Sequence, residues 1–119
     1  MEALPSERRR WPRLPSHVPV RYQDIATQRY TETLSNNLGA GGVQCVTHEF
    51  LPTSRELLLE ISLYRATPPV KARARVAWIQ KVAHADQYRV GLEFLQLPDD
   101  LRRTLDAYLE AASKHAALA

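Results

Sequence analysis

The sequence lacks several features that would assign a function class directly. It has a single cysteine, Cys45, so an internal disulfide cannot form, and no Cys or His spacing typical of a zinc site is present. No apolar run approaches the roughly 18 residues needed to cross a bilayer, and the N-terminus does not resemble a signal peptide. These absences predict a soluble cytoplasmic protein with no metal site and no membrane insertion.

Glycine and lysine are also scarce, and both are unevenly used. Three of the four glycines fall between positions 39 and 42, where the backbone must turn tightly or be approached closely. Lysine supplies only three of the 16 basic residues, at positions 71, 81 and 114, and arginine supplies the rest. Arginine presents a planar, permanently charged fork that suits phosphate groups and guanine edges better than lysine does. The net charge of +3 permits an anionic partner without requiring one.

Six segments alternate apolar and polar residues in the manner of half-buried strands. They are predicted at 17–23, 29–35, 43–47, 57–64, 71–80 and 88–95. After Pro98, Asp99 can cap a helix whose apolar residues recur at helical spacing. We therefore predict one mainly β domain: a flexible basic arm at 1–16, a six-stranded antiparallel β-barrel at 17–98 and a C-terminal α-helix at 99–116. Barrel closure is expected because it removes exposed sheet edges.

Two polar segments frame the first predicted strand pair. Four arginines lie between positions 8 and 13, and a glycine-bearing loop spans positions 37–43. Guanidinium groups can bind phosphate bidentately, contact guanine O6 and N7, and stack on a base. Exposed backbone amides of the loop can hold an anion from the other side. Together the two segments predict a ligand site built from a flexible arm and a fixed loop.

The two segments resemble the motifs of PilZ domains, bacterial modules that bind cyclic di-GMP, and the resemblance extends over roughly residues 7–109. The family pattern is an RRxxxR arm followed, some twenty to thirty residues later, by a (D/N)xSxxG loop. The matching positions are Arg8, Arg9 and Arg13 in the arm and Asn37, Gly39 and Gly42 in the loop. Two weaker family stretches are also present, RVAW at 75–78 and RVGLEF at 89–94.

This resemblance implies a cyclic di-GMP receptor whose arm changes conformation on binding and thereby regulates an unidentified partner protein, for example in motility or exopolysaccharide synthesis. It implies no catalytic activity and no cofactor other than the ligand itself. The implied ligand-binding residues are Arg8, Arg9, Arg13, Asn37, Gly39, Gly42 and Trp78. The doubled arginine at positions 8 and 9 resembles the one that, in this family, accompanies a stacked ligand dimer.

Two of these positions raise specific questions. Gly39 stands where the family has serine, so one hydroxyl that would bond to the ligand is missing, which weakens binding by about 0.5–1.5 kcal/mol. Trp78 shares strand parity with Val76, which indicates the core, whereas an aromatic residue at this place stacks on the ligand in some relatives. The sequence leaves both directions open for Trp78.

Two other functions stay open at this point. A protein–protein adaptor that has lost nucleotide binding is favoured by Gly39 and by the apolar stripe of the helix. A barrel that binds single-stranded nucleic acid is suggested by Arg10, Arg73 and Arg75, but the aromatic content of 8% is low for base stacking, so no DNA or RNA partner is expected.

Catalysis is not expected either, because nucleophile-elbow, zinc-protease and Walker motifs are missing. Cys45 is expected to be a small buried hydrophobe.

Overall fold

Strands separated by short turns make up most of the chain, and one helix follows them. A computed structural model describes residues 13–15 and 17–118, with the backbone alone for 13–15 and 115–118. The elements are β1 (Arg13–Pro15), β2 (Pro19–Asp24), β3 (Tyr30–Gly39), β4 (Gly42–Thr47), β5 (Glu56–Ile61), β6 (Val70–Lys81), β7 (Tyr88–Gln96) and α1 (Asp99–Leu118). The six predicted strands correspond to β2–β7, and the predicted helix corresponds to α1.

The six longer strands close into an antiparallel β-barrel. Hydrogen-bonded neighbours run in the order β3, β2, β5, β6, β7, β4, and β4 pairs again with β3. This closure leaves none of the six as a free edge along its whole length, as the prediction required. The predicted fold class, a six-stranded antiparallel barrel with a C-terminal helix, is confirmed.

Every second side chain along a strand points into the barrel and fills its interior, as the sequence pattern predicted. Every second residue of β5 and of the first half of β6 is buried. Cys45 is fully buried. Burial raises the pKa of its thiol to about 12, so the group stays protonated at neutral pH and serves as a small core residue.

Helix α1 covers part of the barrel with one apolar side. Asp99 and Asp100 occupy its first turn, where acidic groups are favourable to the helix dipole. Leu105 is fully buried in the barrel core, and Tyr108 and Leu109 pack against it while partly exposed. No helix in the described part of the chain is long and apolar enough to span a membrane.

Strand β3 extends further than predicted. The sequence placed a loop from residue 37, but β3 continues to Gly39 and only Ala40 and Gly41 form the turn. Its second half is held by ladder bonds to β4 on one side and to β1 on the other, with a bulge between Ser35 and Asn37. These two ladders outweigh the low strand propensity of asparagine and glycine.

Candidate functional site

Strand β1 brings the arginine arm directly beside the glycine-bearing loop. In the β1–β3 register, Arg13 lies opposite Gly39 and Pro15 lies opposite Asn37. Paired strands are about 4.8 Å apart, so the last arginine of the arm motif and the middle residue of the loop motif are neighbours. Arg8 and Arg9 lie outside the described residues, as does most of the predicted 1–16 arm. The predicted meeting of arm and loop is thus seen at Arg13.

A buried serine fixes the place where the arm leaves the barrel. The Val18 amide donates to Ser35 Oγ at 3.0 Å, and the Ser35 amide donates to the Val18 carbonyl at 3.0 Å. The His17 ring adds a contact of 3.0 Å between Nδ1 and the Ser35 carbonyl oxygen. Ser35 is fully buried, so its two bonds with Val18 are shielded from water. Sequence reasoning missed Ser35, because a serine in a strand carries no signal of its partner.

Gly42 is required by the close approach of another strand. A Cβ atom at this position would lie 2.1 Å from the Leu92 carbonyl oxygen in β7. None of the chain's glycines has a positive φ, so the loop does not use glycine for a left-handed turn. Of the two reasons that the sequence allowed, close approach is the one that applies at Gly42.

Two contacts hold the tip of the β3–β4 hairpin. The Phe94 amide of β7 donates to the Gly41 carbonyl at 2.9 Å. The Arg102 guanidinium of α1 donates to the Ala40 carbonyl. The hairpin that carries Gly39 is therefore attached both to the barrel wall and to the C-terminal helix.

Asn37 belongs to a row of residues that crosses the outer face of the barrel. Its Nδ2 donates to Gln44 Oε1 at 2.9 Å. Gln44 pairs in register with Gly91, and Gly91 pairs with Trp78. Three strand spacings of about 4.8 Å separate the ends of this row, roughly 14 Å. Asn37 and Trp78 thus lie on one continuous surface.

Trp78 faces outward, because a β-bulge reverses the alternation of β6. Val76 pairs with Leu92 and Trp78 pairs with Gly91, so Ala77 is the extra residue. Ile79 is then the side chain that packs on the core. The parity argument that placed Trp78 in the core was wrong, because parity holds only in a strand without a bulge. Of the two directions that the sequence left open for Trp78, the outward one is observed.

The indole of Trp78 lies over Gly91. A Cβ atom on Gly91 would meet Nε1, Cε2 and Cδ1 at 2.1, 2.4 and 2.7 Å. Because these three distances are similar, the ring presents its face rather than its edge to Gly91. Only glycine at position 91 leaves room for this arrangement, and the half-buried indole keeps part of its surface toward solvent.

The arginines around this surface differ in their partners. Arg75 Nε donates to Glu93 Oε1 at 2.7 Å, and Arg73 pairs with Glu56. Both arginines are exposed, and each is ion-paired. In the part of the chain that the structure describes, no group of His, Cys, Asp and Glu side chains could hold a metal ion.

Residues 7–111 match the family model of the PilZ domain. The chain belongs to the PilZ domain family. The predicted family is confirmed. No curated protein sequence is significantly similar to the chain.

Solved PilZ structures share the fold at low sequence identity. The Bacillus subtilis inhibitor of motility, MotI/DgrA, is 23% identical with a TM-score of 0.77, over 91% of this chain and 52% of that one. The PilZ domain of YcgR from Escherichia coli, solved with c-di-GMP, is 17% identical with a TM-score of 0.72, over 92% and 94%. The MrkH–c-di-GMP complex of K. pneumonia is 15% identical with a TM-score of 0.74, over 92% and 54%. The chain spans about half the length of MotI and MrkH.

The contact at Gly42 gives a testable prediction. Gly42→Ala should lower the free energy of unfolding by about 1–3 kcal/mol or more, because a methyl group would overlap the Leu92 carbonyl and force β4 from β7. Chemical denaturation measures this change. Ala40→Gly in the same hairpin is the control, and its cost should stay below about 1 kcal/mol. Equal stability of Gly42→Ala and the parent protein would contradict the close approach.

Proposed function

We propose that this PilZ domain is a cyclic di-GMP receptor that regulates a partner protein and has no catalytic activity of its own. The observation that supports this most strongly is the β1–β3 register, which sets Arg13 opposite Gly39. Arg13, the last arginine of the arm motif, therefore lies beside the β3–β4 hairpin and carries a permanent positive charge. The hairpin and the row from Asn37 to Trp78 offer a surface that an anionic nucleotide can contact.

The chemistry of the surface fits the two parts of such a ligand. We propose that Arg8, Arg9 and Arg13 bind phosphate groups and guanine edges, since arginine can do both bidentately. Asn37, Gly39 and Gly42 form the opposing wall, and the outward face of Trp78 stacks on a base. The doubled arginine at positions 8 and 9 supports binding of a stacked ligand dimer.

Solved relatives are consistent with this ligand. YcgR from Escherichia coli, its PilZ domain alone and MrkH from K. pneumonia are each known as complexes with c-di-GMP. MotI is an inhibitor of motility. We propose that this chain binds the same nucleotide and regulates a protein partner through movement of the arm.

The arginine arm can be tested by isothermal titration with cyclic di-GMP. Arg9→Ala and Arg13→Ala should each weaken binding by roughly 10- to 150-fold, since a hydrogen bond to a charged group contributes about 1.5–3 kcal/mol. Arg29→Ala is the matched control. It removes the same charge from an exposed residue just before β3, a strand of 10 residues and so roughly 30 Å from the site. No binding by the parent protein, or equal binding by all variants, would contradict the proposal.

A substitution at position 39 distinguishes the receptor hypothesis from that of an adaptor that has lost nucleotide binding. Gly39→Ser supplies the hydroxyl of the family pattern, and the φ of Gly39 is not positive, so serine can adopt the backbone conformation. For the receptor, binding should tighten by about 0.5–1.5 kcal/mol, or roughly 2- to 13-fold. The adaptor hypothesis, which rests on the missing hydroxyl, predicts that Gly39→Ser gains no binding. Titration of the two proteins side by side decides between them.

The nucleic-acid alternative is weaker on this surface. Two of the three arginines that suggested it, Arg73 and Arg75, are paired with glutamates. Ion pairing reduces the charge available to a phosphate backbone. Arg10 lies outside the described residues. We therefore do not propose DNA or RNA as a partner.

A further inference from the structure

Arg89 is an exposed arginine on the same outer surface as Trp78. It lies on β7 two residues before Gly91, the residue that the Trp78 indole covers. Residues two apart in a strand project from the same face, about 6.6–6.8 Å apart. Its cross-strand neighbours are Val46 in β4 and Gln80 in β6, neither of which carries a charge. Arg89 therefore stands next to the indole in an otherwise uncharged row.

Within the described part of the chain the charge of Arg89 is not compensated, unlike that of the two arginines of β6. Arg73 and Arg75 are both paired with glutamates. No acidic side chain among the described residues lies within ion-pair distance of Arg89. A ligand on this surface with a negative charge or strong hydrogen-bond acceptors could accept hydrogen bonds from the Arg89 guanidinium directly. Binding to Arg75 would first require displacement of Glu93.

The direction of the indole determines what Arg89 can reach. Trp78 lies with one ring face on Gly91, so its other face points away from the sheet. A base stacked on that face lies parallel to the sheet surface, with its edges directed sideways over the neighbouring positions. A long side chain that rises from position 89 meets such a base at its edge rather than at its face.

We propose, on the basis of the cyclic di-GMP receptor function, that Arg89 determines base specificity by donating to O6 and N7 of the guanine that stacks on Trp78. Guanine presents two acceptors on this edge, and the arginine fork has donors only, in matching geometry. Adenine presents an amino donor in place of O6 and would leave one guanidinium donor unpaired. Stacking on Trp78 alone would not distinguish the two bases.

The test combines a protein change with a ligand change. Cyclic di-GMP and its 7-deaza analogue, in which C–H replaces guanine N7, are titrated into the parent protein and Arg89→Ala by calorimetry. We expect Arg89→Ala to bind cyclic di-GMP roughly 5- to 150-fold more weakly. The parent protein should prefer cyclic di-GMP to the analogue, and this preference should be smaller in Arg89→Ala, because the N7 contact from Arg89 is gone while those from the arm arginines remain.

Two controls keep the result specific. Arg29→Ala removes the same charge from the far end of β3 and should retain both the affinity and the preference of the parent protein. Trp78→Ala should weaken both ligands, because stacking is lost for each. Circular dichroism checks that the variants are folded.

The remaining outcomes separate this inference from the proposed function. If Arg89→Ala binds cyclic di-GMP as the parent protein does, or prefers it to the analogue by the same factor as the parent protein, Arg89 does not read the base and the receptor function stands. Equal weakening of both ligands with the preference intact would indicate a phosphate contact and would also overturn the inference. If the parent protein binds no cyclic di-GMP, both proposals fail.

Discussion

The two halves of β3 have different neighbours, and the candidate site depends on this division. Residues 30–34 pair with β2, whereas residues 37–39 pair with β1 on the same side. Residues 35–39 pair with β4 on the other side. The second half of β3 thus lies between the arginine arm and the barrel wall. A shorter β3 would still complete part of the barrel, but it would leave Arg13 without a register against Gly39.

Glycine at two positions lets other parts of the chain approach this surface. At Gly42 the neighbour is the Leu92 carbonyl, and at Gly91 it is the face of the Trp78 indole. The second contact also depends on the bulge at Ala77, which turns Trp78 outward. The missing Cβ atom at Gly91 and the extra residue Ala77 therefore produce a flat aromatic surface in the same row as Asn37. The α1 contact from Arg102 to the hairpin tip connects this surface to the C-terminal helix.

Much of the fold could be predicted from the sequence, because the burial of alternating apolar side chains is the main force that drives this chain to fold. The six strands, the buried Cys45 and the helix with Leu105 inside all follow from periodicity. The direction of Trp78 could not be predicted, since a bulge depends on how two strands pair. A glycine in mid-strand is typical of a bulge or bend, and the bulge lies opposite Gly91, in β6. The strand at Arg13 and the bonds of Ser35 were also missed, because both depend on residues distant in sequence.

We propose that cyclic di-GMP binds the outer face between the arm and Trp78. Two-dimensional ¹H–¹⁵N spectra of the labelled protein, recorded while cyclic di-GMP is added, test it most directly. We expect shifts at the amides of Gly39, Gly42 and Gly91 and at the Trp78 indole N–H. The amides of residues 30–33, at the other end of β3, should stay unchanged. Shifts confined to that end, or no shifts at saturating nucleotide, would contradict the account.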